Sequence, residues 1–199
     1  MPMSPENLLI DAMRRLHEKQ LLGADGRVSM RVPDTGEMLI AEPGAELAMV
    51  PLSSPPNGEY AEHVAVYATR ADVGAIAQGG GVFGRMLGSF GGDLPQLFDE
   101  QARHLGATLA SMRLAGGGNV GVGEHDVCVF GTTVHRLVLN AELLEKCAKA
   151  YVLAAATGMR LHALPWWVCR IANGRLKKDQ QRAAQRFAQG LLPEEVTGY

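Results

Sequence analysis

The chain is short of cysteine, has no long apolar run and carries no excess of basic charge. Its three cysteines, Cys128, Cys147 and Cys169, are odd in number and widely separated. That usage suits reduced core thiols better than a disulfide framework or a zinc knuckle. No stretch reaches the ~18–20 consecutive apolar residues that a membrane-crossing helix needs, and the opening MPMSPENLL lacks a basic segment ahead of an apolar run. A cytoplasmic location without membrane attachment is expected. Lys and Arg total 19 against 21 Asp and Glu, for a net charge of −2 and a pI near 6.3. No concentrated basic face is available for nucleic acid. Internal repeats and low-complexity tracts are also missing.

What is present is an ordinary globular composition: 199 residues, 47% apolar and 20% charged. These values fit one domain with a sizeable core. Ser4-Pro5 precedes an amphipathic stretch in which Leu8, Ala12, Leu16 and Leu21 or Leu22 recur near helical spacing, so a helix is predicted through Leu22. His17 lies among charges on that helix and reads as a solvated side chain. After the turn GADG, RVSMRV alternates as a strand does, PDTG turns, and MLIAE resumes an extended pattern, giving a β-meander. LSSPPNG is a loop, and EYAEHVAVYATR is helical, with Tyr60, Val64 and Tyr67 on one face. ADVGAIAQ is a buried strand that runs into Gly79, Gly80 and Gly81.

Farther on, LPQLFDEQARHLGATLASM reads as one helix, AGGGNVGVGEHD as a glycine-rich loop and VCVFG as a strand. Thr133 can cap a long helix that stops at Gly158, a residue suited to the left-handed position after a helix. The C-terminal stretch is predicted as two helices broken at Pro165 and at Asn173-Gly174. The run Gly116-Gly117-Gly118-Asn119 lacks the strand-then-helix setting of a dinucleotide fingerprint. Trp166 and Trp167 suit a pocket cap, a subunit contact or, just as well, burial within the same chain.

The order of these parts resembles the class II aldolase/adducin family over roughly residues 5–160. The most specific segment is HVAVYATRADVGAIA, with His63, Tyr67, Arg70, Asp72 and Val73 matching the family's helix-to-strand unit. The resemblance implies a three-layer α/β/α fold with a central, mostly antiparallel sheet. It divides the chain into a family domain, 1–160, and a C-terminal helical extension, 161–199, packed on the same domain. It also implies a homo-oligomer, a tetramer with sites between subunits, and a small-molecule substrate.

Family enzymes hold a divalent metal, often zinc, on a His-x-His pair at the strand end and a later histidine. Here Gln78-Gly79-Gly80 replaces the pair, and His125 in GEHD matches the third ligand. The family's acid/base glutamate falls on Glu59, with Glu62 its neighbour. The resemblance therefore gives Glu59 and His125 as catalytic residues, His125 as a metal ligand for zinc, manganese or iron, and Gln78, Gly79, Gly80 and Gly81 as the substrate-binding turn. The glycine amides are suited to donate to an anion or carbonyl oxygen, and the run reads equally as a tight loop that serves no chemistry. An alternative site drawing on His63, His104 or His135 is open, but each of these histidines, like His162, has an ordinary structural reading.

Three functions follow. The first is a lyase-type enzyme for aldol cleavage or decarboxylation of a small oxygenated or carboxylated metabolite at an altered metal site. The second is a non-catalytic oligomerisation or binding module like the adducin head. The third is a metal-independent catalyst of another reaction.

Overall fold

The computed structural model describes residues 3–55, 57–110, 117–123 and 126–194. Helix α1 (Pro5–Glu18) begins where expected: the Ser4 side chain accepts from the Asn7 amide and Pro5 sits in the first turn. Leu9, Ala12 and Leu16 are its buried stripe. It stops at Glu18, not Leu22, because Gln20 turns into the left-handed region at φ 55°. Leu21 and Leu22 are buried all the same.

Strands β1 (Arg27–Val32), β2 (Glu37–Ala41) and β3 (Ala48–Pro51) form the meander, β3 adding a strand to the predicted pair. Helix α2 (Ala61–Thr69) leads to β4 (Ala75–Gln78), which is shorter than the predicted 71–78. Arg70 is the reason: its guanidinium grips both oxygens of Asp72 at 2.8 Å, and this local clamp bends the chain before the strand starts. Gly74 lies so close to Thr132 O that a Cβ would sit 2.2 Å from it, which only glycine allows.

Helix α3 (Val82–Met86) and a 3₁₀ turn, Leu87–Phe90, follow the glycines. The long helix predicted from Leu94 contracts to α4 (Asp99–His104). The Gln101 side chain bonds the Leu97 amide and Pro95 O, holding the preceding segment extended, and Gly106 at φ 69° ends the helix. Strands β5 (Leu109–Ala110), β6 (Val120–Val122) and β7 (Val127–Gly131) then lead to α5 (Val134–Ala156), capped by Thr133 as predicted. Helix α6 (Trp166–Ala188) starts after Pro165 but runs unbroken through Asn173-Gly174. A mid-helix glycine costs only about 1 kcal/mol relative to alanine, less than α6 recovers by packing on α4 and joining Asp179 to Arg103.

The sheet order is β3-β2-β1-β4-β7-β6-β5, antiparallel at every pairing except β5 with β6. Val28, Met30, Ala75, Ala77, Val127 and Val129 face α1 and α5 in the larger core. Ile76, Cys128 and Phe130 face α2 in the smaller one. The last turns of α6 also reach this second face, where Phe187 lies against the Arg31 guanidinium. The fold is thus α/β/α around a mostly antiparallel sheet. Among the described residues, no helix is long and apolar enough to cross a membrane.

Candidate functional site

Alternation in β1 puts Ser29 and Arg31 on the α2 face, opposite the apolar Val28 and Met30. Ser29 is wholly buried, and its Oγ lies 2.7 Å from His63 Nδ1 and 2.9 Å from the Tyr67 hydroxyl. His63 and Tyr67 are one turn apart on α2, so a single helical face presents both. The other imidazole nitrogen, Nε2, lies 3.1 Å from Gln78 Oε1 at the end of β4. Gln78 Nε2 is 2.6 Å from Glu62 Oε2 and 2.6 Å from Asp126 Oδ2.

The donor inventory gives this chain of contacts one direction. An atom between two carboxylate oxygens must be the amide N–H₂, so Gln78 Oε1 accepts from His63 Nε2–H. His63 Nδ1 then has to accept, and Ser29 Oγ–H supplies the proton. Ser29 Oγ in turn accepts from Tyr67 O–H. Burial pushes the His63 pKa down to about 4, against the hydrogen bond to Gln78 and with help from the Arg27 charge, so the imidazole is neutral. Burial likewise raises the Tyr67 and Cys128 pKa values, keeping both protonated. Asp126 is anchored by its own turn, with Oδ1 accepting from Val127 N at 2.7 Å.

Gln78 is therefore joined to Glu62, the neighbour of the expected Glu59. Glu59 itself lies exposed in the turn before α2, where its backbone oxygen accepts from Arg27 at 3.4 Å. Glu124 and His125 lie outside the described residues. The three glycines have separate structural duties. Gly79 N–H continues the sheet by donating to Val127 O at 3.0 Å, so it is not offered to a ligand. Gly79 and Gly80 adopt φ 125° and 63°. A Cβ on Gly81 would fall 2.6 Å from the Glu145 carboxyl group, which reaches in from α5 to accept from Phe83 N at 2.8 Å and Gly84 N at 2.9 Å. The start of α3 thus already holds an anion, the protein's own. Arg85 flanks the turn, with its Cγ 3.6 Å from where a Cβ on Gly80 would be and its Nη1 3.3 Å from the same position on Gly23.

These donors do not fit the metal that the family resemblance implies. Gln78 turns N–H₂ toward the two carboxylates, Gly80 has no side chain, and His63 Nε2 carries the proton given to Gln78. Among the described residues, no three His, Cys, Asp or Glu side chains are grouped to hold a metal ion. Ser29 and Asp126 were not singled out by the sequence reading. Ser29 occupies a polar position of the β1 alternation, so the strand pattern gives no sign that it is buried.

No family model and no curated protein matches the chain in sequence. Solved structures do match in fold. An L-fuculose 1-phosphate aldolase superposes with a TM-score of 0.75 at 17% identity, covering 89% of this chain and 98% of that one. The L-fuculose 1-phosphate aldolase from Glaciozyma antarctica PI12 gives 0.72 at 15% identity, covering 98% and 97%. An aldolase II superfamily protein from Pseudomonas syringae gives 0.66 at 18% identity, covering 94% and 93%. The chain has the class II aldolase fold.

Proposed function

We propose that this chain is a lyase-type catalyst for aldol cleavage or decarboxylation of a small oxygenated or carboxylated metabolite, working at a strand-end site rebuilt from hydrogen bonds. The observation that carries this reading is the Gln78 amide, held by the neutral His63 on one side and by Glu62 and Asp126 on the other. A glutamine so held keeps two carboxylates at the position where the fold's relatives are expected to place metal-binding imidazoles. Glu62 is the exposed member of the pair and the one a substrate can reach.

In an aldol cleavage, Glu62 takes the proton of the substrate hydroxyl. That oxygen becomes a carbonyl as the neighbouring C–C bond breaks, the bonding pair moves onto the adjoining carbonyl as an enolate, and the enolate is protonated to release the second product. Arg85 is the nearby cation suited to the developing negative charge. Glu62 takes the role that the family match gave to Glu59, because Glu62 belongs to the network. His125, next to Asp126 in the chain, is the remaining candidate for an electrophile. The working unit is a homo-oligomer, a tetramer by resemblance, with 161–199 as a helical extension on the same domain as 1–160.

The test is turnover of sugar phosphates and 3-oxo acids by chelator-treated protein. We expect activity that survives chelation, falls at least ~100-fold in Glu62→Gln, the scale of one lost acid–base group, and persists in Glu59→Gln. Turnover abolished by chelation and restored by zinc would overturn the metal-free site. Absence of any turnover would favour the binding-module reading.

A further inference from the structure

The net charge of −2 averages over an uneven distribution. Helix α6 holds six cations and one acid, Asp179, and that acid is taken by Arg103 and Arg182. Arg170, Arg175, Lys177 and Lys178 are exposed and, among the described residues, have no carboxylate partner. The anchored side of the helix is Leu176, Gln180 and Ala183. On the opposite side, at about 100° per residue, Ile171 and Lys178 project within about 40° of Trp167, and Arg170, Arg175 and Lys177 within about 80°. Trp166 stands at the edge of the same face. Trp166 is 75% exposed, Trp167 54% and Ile171 56%. The outward face of α6 thus presents three large apolar side chains among four unmatched cations, along about 18 Å of helix.

Apolar surface of this kind gains by leaving water, and the charge selects what covers it. A second copy related by a two-fold axis would set the same four cations against one another. The acids that edge the face are Asp99 and Glu100, in the groove between α4 and α6, and Glu100 already meets Lys146 at 3.2 Å. One remaining carboxylate does not balance four cations. A nucleic acid would supply the charge, but its phosphates and sugars offer Ile171 nothing. A lipid surface fits all of the groups at once. Indole rings settle at headgroup depth, an aliphatic side chain meets acyl carbons, and Lys and Arg lay their stems along the boundary with their charges on the headgroups. Helices that lie in the plane of a bilayer surface use this combination of side chains. Adsorption needs no spanning helix, so the lack of one among the described residues has no bearing on this face.

We infer that the outward face of α6 adsorbs this protein to an anionic lipid surface, with Trp166, Trp167 and Ile171 at the headgroup boundary and Arg170, Arg175, Lys177 and Lys178 on the charged headgroups. In this the face departs from the expectation of a chain without membrane attachment, which rested on apolar run length and on the sequence of the first residues. Trp166 and Trp167 are the only tryptophans of the chain, so its indole fluorescence reports on this face alone. The full chain is titrated with phosphatidylcholine vesicles and with vesicles containing about 30% phosphatidylserine, an anionic surface of the kind that basic clusters bind. A blue shift and co-sedimentation are expected with the anionic vesicles only, and both should be reversed on raising salt from ~0.1 to ~0.5 M, which screens the attraction. Lys177→Glu with Lys178→Glu should weaken binding by about tenfold or more while urea unfolding shows the variant folded. Trp166→Ser with Trp167→Ser should weaken co-sedimentation as well. No binding to anionic vesicles, equal binding to both kinds, or a lysine variant that binds like wild type would each overturn the proposal. So would a lipid-free blue shift that grows with protein concentration, which would give the face to a second copy, or displacement of the vesicles by a single-stranded oligonucleotide. The readout involves no turnover, so it stands apart from the proposed catalysis.

Discussion

Ser29 has one proton to give, and His63 Nδ1 and the Tyr67 hydroxyl both stand within reach of it. Because the amide of Gln78 fixes His63 from the far side, that proton goes to His63 and Tyr67 becomes the donor to Ser29. The neutral imidazole has a cost that appears in acid. His63 has an ordinary pKa of 6.5 and a folded value of about 4, so between these values the unfolded chain binds a proton that the folded chain refuses. The stability His63 contributes is complete above pH 6.5 and is lost as pH falls toward 4. For so buried a group the loss at pH 4.5 is roughly 2–3 kcal/mol. Urea unfolding of wild type and His63→Gln at pH 7.5 and 4.5 measures it: wild type should lose that much more than the variant. His104 shifts in the same direction, but it is present in both proteins and cancels from the difference. An equal loss in the two would show that the His63 imidazole is not held neutral.

Elements were legible in the sequence wherever local pattern and tertiary packing agree. Ser4 and Thr133 each cap their helices, and the alternation of RVSMRV is the β1 pleat. They were misread where packing overrides pattern. The glycine-rich stretch conceals β6, whose Val120 and Val122 pair with β7. Asn173-Gly174, a turn signal in isolation, lies inside α6 because Leu176, Asp179 and Gln180 on the same helix are anchored. At the candidate site, Gln78 could be found from the family pattern. The choice of Glu62 over Glu59 could not, since it depends on where the first turn of α2 begins. The glycine within α6 gives a direct test. A Cβ on Gly174 would meet nothing within 4 Å, so Gly174→Ala should stabilise the protein by about 0.5–1 kcal/mol through helix propensity alone. Thermal unfolding reads the gain, and destabilisation would mean that α6 is kinked or strained there.

At the scale of the whole molecule, α6 is tied into the centre of the fold as well as lying on its outside. Gln180 donates to Gly117 O at 2.7 Å and to Asn119 Oδ1 at 3.1 Å. Asn119 holds the end of α4 through His104 O and also meets Arg70, which bonds Gly118 O and Asp72. Arg70 is almost fully buried, so this network is the environment that compensates its charge. Deleting the chain after Gly158 removes Gln180, uncovers the face of α4 that packs on α6, and takes Asp179 away from Arg103. A buried cation whose supporting hydrogen bonds loosen destabilises by several kcal/mol. The truncated chain should therefore unfold at lower denaturant, aggregate, or fail to assemble, whereas Trp166→Ser with Trp167→Ser, which alters two exposed side chains at the outer end of α6, should leave unfolding unchanged within ~0.5 kcal/mol. Urea titration and sedimentation velocity on both variants separate the two contributions of this segment. Loss of assembly in the tryptophan variant with stability intact would place those rings between subunits. A truncated chain as stable as the full one would mean that α6 is an accessory and that Asp72, Gly118 O and Asn119 hold Arg70 without it.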